Sequence, residues 1–100
     1  MFEIYRTDEG TIRFDGRLDA SQCDRAKAFL DGLSGNVSAD LQGLTYLSSA
    51  GMGVLLRTQK RLIDSGGAVR LHNVSRHIFD IFFFSGFSKV FEIDIAEDNP

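Results

Sequence analysis

The sequence is poor in residues that cross-link or break a chain: one cysteine, one proline and no tryptophan among 100 residues. With Cys23 alone, an intramolecular disulfide and any cysteine-based zinc site are excluded. The single proline is Pro100, so no internal helix is broken by proline. Long apolar runs are also missing. The longest, Ile81 to Phe84, is four residues, against the ~20 that a membrane helix requires. MFEIYRTDEG at the start holds no apolar signal core and no Arg/Ser-rich transit pattern. The cytoplasm is therefore the expected location, without direct membrane insertion. A basic surplus is absent too: the net charge is −3 and the pI about 5.2. A nucleic-acid binder carries the opposite balance, so no nucleic-acid partner is expected.

What is present is ordinary for a globular chain, with 43% hydrophobic and 25% charged residues. The length suits one domain over residues 1–100, with a short acidic tail at about 96–100 that contains Glu97-Asp98-Asn99-Pro100. No repeat, linker or low-complexity segment interrupts it. Glycines provide the punctuation: Gly10, Gly16, Gly35, Gly43, Gly51, Gly53, Gly66-Gly67 and Gly86.

Phe2 and Ile4, then Ile12 and Phe14, alternate around Asp8-Glu9-Gly10, which predicts an antiparallel hairpin. Asp19 with Gln22 three residues on resembles a capping box. Cys23, Ala26, Leu30 and Leu33 then recur at helical spacing, predicting a helix that ends near Gly35. Val37, Ala39 and Leu41 alternate as a strand. A second helix is predicted from about Ser49 to Ser65, with Met52, Leu55, Leu56, Leu62 and Ile63 inward and Arg57, Lys60, Arg61 and Asp64 outward. Ala68–Leu71 reads as a strand, Ser75 as the cap of a third helix ending near Gly86, and Val90–Ile93 as a last strand. The order β-β-α-β-α-β-α-β predicts an α/β fold, a mixed, mostly parallel sheet flanked by helices. Function in such sheets gathers beyond the carboxyl ends of the strands. Two loops qualify, Gly16–Asp19 and Gly43–Ser49.

The second of these carries the strongest signal. Ser48 and Ser49 sit at a helix start, where free N–H groups and the positive dipole end favour an anion. Helix capping is one reading of these hydroxyls, and a modified or anion-binding serine the other. Enzymatic motifs do not fit. Leu47 stands where a nucleophile elbow needs its first glycine. Gly51-Met52-Gly53 lacks both the P-loop lysine and the third glycine of a dinucleotide site. His72 and His77, the only histidines, have no acidic cluster beside them. No catalytic residue, metal or cofactor is expected.

Gly16-Arg17-Leu18-Asp19, the segment Asp40-Leu41-Gln42-Gly43-Leu44-Thr45-Tyr46-Leu47-Ser48-Ser49-Ala50-Gly51-Met52-Gly53-Val54-Leu55-Leu56, and Ser85-Gly86-Phe87 together resemble a STAS domain, as found in bacterial anti-sigma-factor antagonists. The resemblance spans about residues 2–95. It implies partner switching: the unphosphorylated antagonist binds an anti-sigma factor, often a serine kinase, and frees the sigma factor. Phosphorylation at the start of the second helix breaks that complex, and a PP2C-type phosphatase restores it. The family pattern is Asp-Ser-Ser-Gly with the second serine as acceptor. Here the tetrad is Ser48-Ser49-Ala50-Gly51, so Ala50 occupies the acceptor position and Ser48 the aspartate's. The acceptor is then Ser49 or Ser48, or the switch is absent. Asp19 matches the family's loop aspartate, a role that competes with its role as a cap. Ala50, Gly51 and Met52, next to the serines, are expected with Asp19 at the partner surface.

Two further surfaces are candidates. Arg57, Lys60 and Arg61 form either a solvated face or a docking face next to the serines. On the third helix Ile78, Ile81 and Phe82 share the core side, while Phe79 and Phe83 lie outward. Two exposed rings predict an interface, with a partner or as a weak homodimer, unless the acidic tail or a loop covers them. The leading expectation is an anti-sigma-factor antagonist regulated by serine phosphorylation. The alternative is a STAS subunit of a membrane transport assembly that uses no phosphoserine.

Overall fold

The computed structural model describes residues 1–96, so all but the first residue of the acidic tail expected at about 96–100 lies outside the described residues. Strand β1 (Phe2–Arg6) turns at Gly10 and pairs antiparallel with β2 (Ile12–Leu18), setting Ile4 opposite Phe14. A 3-10 turn, Ala20–Gln22, leads into α1 (Cys23–Asp31). Then come β3 (Asn36–Leu47), α2 (Ser49–Asp64), β4 (Ala68–Val74), α3 (Arg76–Phe84) and β5 (Glu92–Ile95). The sheet order is β1-β2-β3-β4-β5, and every pair after the first hairpin is parallel. The mixed, mostly parallel α/β sheet expected from the sequence is the one observed.

Burial alternates along the strands. Ile12, Phe14 and Leu18 of β2, Val37, Ala39 and Leu41 of β3, and Val69 and Leu71 of β4 are buried, while Ser38, Gln42 and Arg70 are exposed. One side of each strand thus meets the helices and the other meets water, as period-2 geometry dictates. Ala26 and Leu30 of α1, Val54, Leu55 and Leu62 of α2, and Ile78 and Phe82 of α3 close the core.

The boundaries differ from the sequence expectations in instructive places. Gly43–Leu47 is strand, not loop. Pairing with β2 runs on to Leu18 opposite Leu47, and Gly43 tolerates it because Asp15 occupies the space a Cβ would need. β4 likewise runs past Leu71 to Val74, which is fully buried. α1 stops at Asp31, with Gly32 as its C-cap, so Leu33 is buried from outside the helix. Ile63, expected inward, is 51% exposed. Thr58 and Gln59 take the inward positions of that part of α2. The last strand starts at Glu92, two residues later than expected, because Phe91 turns into the core edge-on to Phe82 at 5.3 Å.

α2 and α3 end alike. After Ser65 and Ser85, Gly66 (φ 92°) and Gly86 (φ 84°) adopt the left-handed conformation. The next N–H reaches back to the helix, Gly67 to Leu62 at 2.7 Å and Phe87 to Phe82 at 2.9 Å. Both are Schellman ends, which supply partners for otherwise orphaned carbonyls. The first of these turns β4 back under α2, and the second aims the chain toward β5.

Candidate functional site

The carboxyl ends of β2 and β3 lie side by side where α2 begins. Leu18 pairs with Leu47, and the Ser48 N–H donates to the Leu18 carbonyl at 3.0 Å. This bond sets Asp19 and Ser48 on one rim. A Cβ at position 51 would lie 2.8 Å from the Leu18 carbonyl oxygen and 2.9 Å from Leu18 Cγ. Glycine there lets the first turn of α2 settle onto β2.

The two serines have different environments. Ser48 is extended (φ −82°, ψ 168°) and its Oγ accepts the Gly51 N–H at 3.0 Å. Its own carbonyl accepts from Met52 at 2.9 Å. Ser48 is therefore the N-cap of α2. Ser49 is the first helical residue; its side chain is exposed, as is that of Ala50. It sits where the helix dipole is positive and the first-turn N–H groups point outward. Gly51 and Met52, expected at the partner surface, are both buried, because the helix packs down onto β2 at that point.

Asp19 does not cap α1. It caps the 3-10 turn, its Oδ1 accepting from the Ser21 N–H at 3.1 Å and from the Ser21 hydroxyl at 2.6 Å. Gln22 makes no reciprocal side-chain bond, so the capping-box expectation fails at its second half. The Ser21 hydroxyl, with help from its N–H and from the Arg17 charge, holds the Asp19 carboxyl below its ordinary pKa. Arg17 lies over the Tyr46 ring, 4.2 Å from its centroid. The rim thus carries a fixed negative charge with a cation close by. The Cys23 thiol donates to the Asp19 carbonyl at 3.3 Å, and burial pushes its pKa up, away from thiolate chemistry.

Arg57, Lys60 and Arg61 are exposed on α2 as expected. Arg61 also donates to the Leu30 carbonyl at 2.8 Å, satisfying the carboxyl end of α1. Lys27 and Asp31 pair at 2.7 Å on the facing helix, and Lys27 holds the Asp31 carboxyl below its ordinary pKa. On α3, Phe79 is only half-buried, a correction to its expected exposure. It packs on the edge of the core with its ring stacked on Phe83, 6.1 Å between centroids. Phe83 is 56% and Phe84 81% exposed. Sequence reasoning passed over Phe84, although its position, two residues from buried Phe82, places it on the opposite side of a 3.6-residue helix. His77 stands in the first turn of α3, and His72 on β4 lies 3.2 Å from the Asp94 carboxylate. Among the described residues no helix is long and apolar enough to cross a membrane.

Three comparisons bear on this arrangement. Residues 5–93 match the family model described as "Mlab, STAS domain". Over 58 residues the chain is 30% identical to the anti-sigma-B factor antagonist of Bacillus subtilis (strain 168), a match covering 58% of this chain. The match covers 53% of that relative, so the chain spans about half the length of the curated relative it matches. Among solved structures, an anti-sigma factor antagonist from Mycobacterium paratuberculosis superposes with a TM-score of 0.77 at 15% identity, covering 94% of this chain and 84% of that one. The anti-sigma factor antagonist SpoIIAA in its unphosphorylated form gives a TM-score of 0.72 at 21% identity, covering 93% and 87%. At these identities the structural likeness establishes the fold.

Proposed function

The chain belongs to the STAS domain family, and from that premise we propose that it is an anti-sigma-factor antagonist whose partner is an anti-sigma factor of the serine-kinase type, with Ser49 as the regulatory phosphoacceptor. The observation that carries this reading is the division of labour at the start of α2. Ser48 is committed to the cap, whereas the exposed Ser49 hydroxyl is free for a kinase. The sequence similarity to a Bacillus subtilis anti-sigma-B factor antagonist supports the partner class.

The electrostatics support a switch that does not unfold the protein. A phosphoserine carries about −1.5 to −2 charge at neutral pH. At the first position of α2 that charge meets the positive end of the helix dipole, so the helix tolerates it. A partner docked on the rim meets the dianion and the ionised Asp19 together. Binding is lost through repulsion and through the cost of burying charge at an interface. Arg57, Lys60 and Arg61 flank the site as the outer docking face, and a PP2C-type phosphatase resets it.

The test is a kinase assay with candidate serine-kinase anti-sigma factors from the same genome, with phosphosite mapping on wild type, Ser48→Ala and Ser49→Ala. Labelling at Ser49, lost only in Ser49→Ala, is expected. Ser49→Asp should release the anti-sigma factor, and Ser49→Ala should hold it whatever the kinase activity. Undiminished labelling of Ser49→Ala overturns the acceptor assignment. Capture of a transporter ATPase in place of any anti-sigma factor overturns the function.

A further inference from the structure

α2 contains two glycines in its first two turns, and only one has a structural reason. Gly51 is required by the approach to Leu18. Gly53 is different. Its φ is not positive, and a Cβ there would meet only the far end of the Arg57 side chain, at 3.5 Å, an ordinary contact. Glycine in a helix interior is less stable than alanine, because it loses more backbone freedom on folding. Folding therefore disfavours Gly53, and packing does not require it.

Its position shows what the missing side chain leaves open. Ser49, Met52, Gly53 and Leu56 form one i, i+3, i+4, i+7 stripe of α2. Facing them are Ile81 and Phe87, and between lies a groove of about 160 Å³. Among the described residues no charged side chain lines it, unlike the groove lined by Lys27, Asp31, Arg57 and Arg61 along α2. Its size is that of a site for one ring or one branched side chain: an engineered protein cavity of about 150 Å³ takes up benzene. Ser49 stands at its mouth.

We infer that this groove seats a single apolar side chain of leucine or phenylalanine size from the anti-sigma factor, and that Gly53 is the position that keeps the seat open. The inference rests on the function proposed above and supplies its missing contact. An apolar, uncharged floor matches an apolar side chain and disfavours a charged one. The groove begins at Ser49, so it is continuous with the surface that phosphorylation controls. A phosphate on Ser49 places a dianion against an apolar contact that must be dry when the partner is bound. The modification then acts on the same side chain that Gly53 admits.

The experiment separates helix stability from groove occupancy. Gly53→Ala and Gly53→Leu, with Ser49→Asp as a control, are compared with wild type by thermal melting and by calorimetric titration with the purified anti-sigma factor. Gly53→Ala should melt at or above wild type, because alanine favours the helix, yet bind about tenfold or more weakly, the cost of one methyl-sized change in an apolar pocket. Gly53→Leu should lose binding altogether while remaining folded. If Ser49→Asp loses binding but Gly53→Leu binds within twofold of wild type, the groove is not the seat and the function stands. If wild type does not bind the anti-sigma factor, both fail. If Gly53→Leu changes only self-association in sedimentation, the occupant is a second copy and the assignment is overturned.

Discussion

Ser48 Oγ accepts the Gly51 N–H at 3.0 Å while the Ser49 side chain stands in solvent, so alanine at the two positions should have unequal consequences. Ser48→Ala removes an N-cap and should cost about 0.5–2 kcal/mol. For a domain of this size that is several degrees in Tm, at about 4–8 °C per kcal/mol. Ser49→Ala should stay within about 0.5 kcal/mol of wild type. Chemical denaturation of both variants checks the pair, and equal losses would contradict the assignment of the cap. Asp19 gives a pH-dependent counterpart. Its folded pKa is depressed, chiefly by the Ser21 hydroxyl, so its contribution is full above the ordinary aspartate range and fades as the pH falls through the folded value. The Tm gap between wild type and Asp19→Asn should therefore be present at about pH 7 and shrink toward about pH 3. A gap that widens on acidification would reverse the sign. Residue types alone made Ser48 legible as a cap, because serine before an apolar periodic run is a local signal. Asp19 was legible as a cap but not its partner. The spacing pointed to Gln22, whereas Ser21, two residues on, offers both an N–H and a hydroxyl within reach and captures the carboxylate first.

At the scale of the element, α3 shows where periodicity succeeds and where it blurs. Ser75 accepts the Ile78 N–H at 3.2 Å and starts the helix where the sequence placed it. Ile78 and Phe82, four apart, are fully buried. The four-residue apolar run from Ile81 to Phe84 then covers all sides of a helical turn, so no apolar side can be picked by composition; only angular position separates Phe82 from Phe84. The consequence is measurable. Replacing Phe83 and Phe84 together by serine should move Tm little, since both rings are largely in water already. Phe82→Ala should cost about 3–5 kcal/mol, because it empties a packed site in contact with Phe91. A large loss in the double serine variant would show that the two rings are covered in solution. The second half of β3, from Gly43 to Leu47, hid for the opposite reason. Gly43 reads as a strand terminator, yet its missing Cβ is what admits the Asp15 carboxylate, so the residue that looks like punctuation is what lets the strand continue.

At the scale of the whole molecule, the helices among the described residues share one core with the buried side of the sheet, and their grip on the parallel strands depends on a polar side chain that the sequence pattern gave no reason to place inside. Gln59 is 3% exposed in the middle of α2. Its amide nitrogen donates to the Val90 carbonyl at 2.8 Å, and its amide oxygen accepts the Val69 N–H at 2.6 Å. One side chain thus joins α2 to β4 and to the segment that delivers Phe91 and β5. Hydrophobic periodicity cannot find such a residue, because it assigns polar side chains to the solvent face. The same blindness put Ile63 inward when Gln59 had taken that side of the helix. The open face of the sheet contributes less. Its pairs, such as Arg13 with Asp15 at 3.0 Å and Arg70 with Asp94 at 3.2 Å, are partly or largely solvated, and such pairs contribute about 0–1 kcal/mol each. Gln59→Leu keeps the volume near that of glutamine but leaves the Val69 N–H and the Val90 carbonyl without their partner. A buried donor left unpaired costs about 1–3 kcal/mol, so the variant should be destabilised by that amount even though it is more apolar. Hydrogen exchange locates the effect: the Val69 amide should exchange faster in Gln59→Leu, and the Phe87 amide at the end of α3, held by Phe82, should be affected less. Unchanged protection at Val69 would mean that α2 and β4 are joined by apolar packing alone.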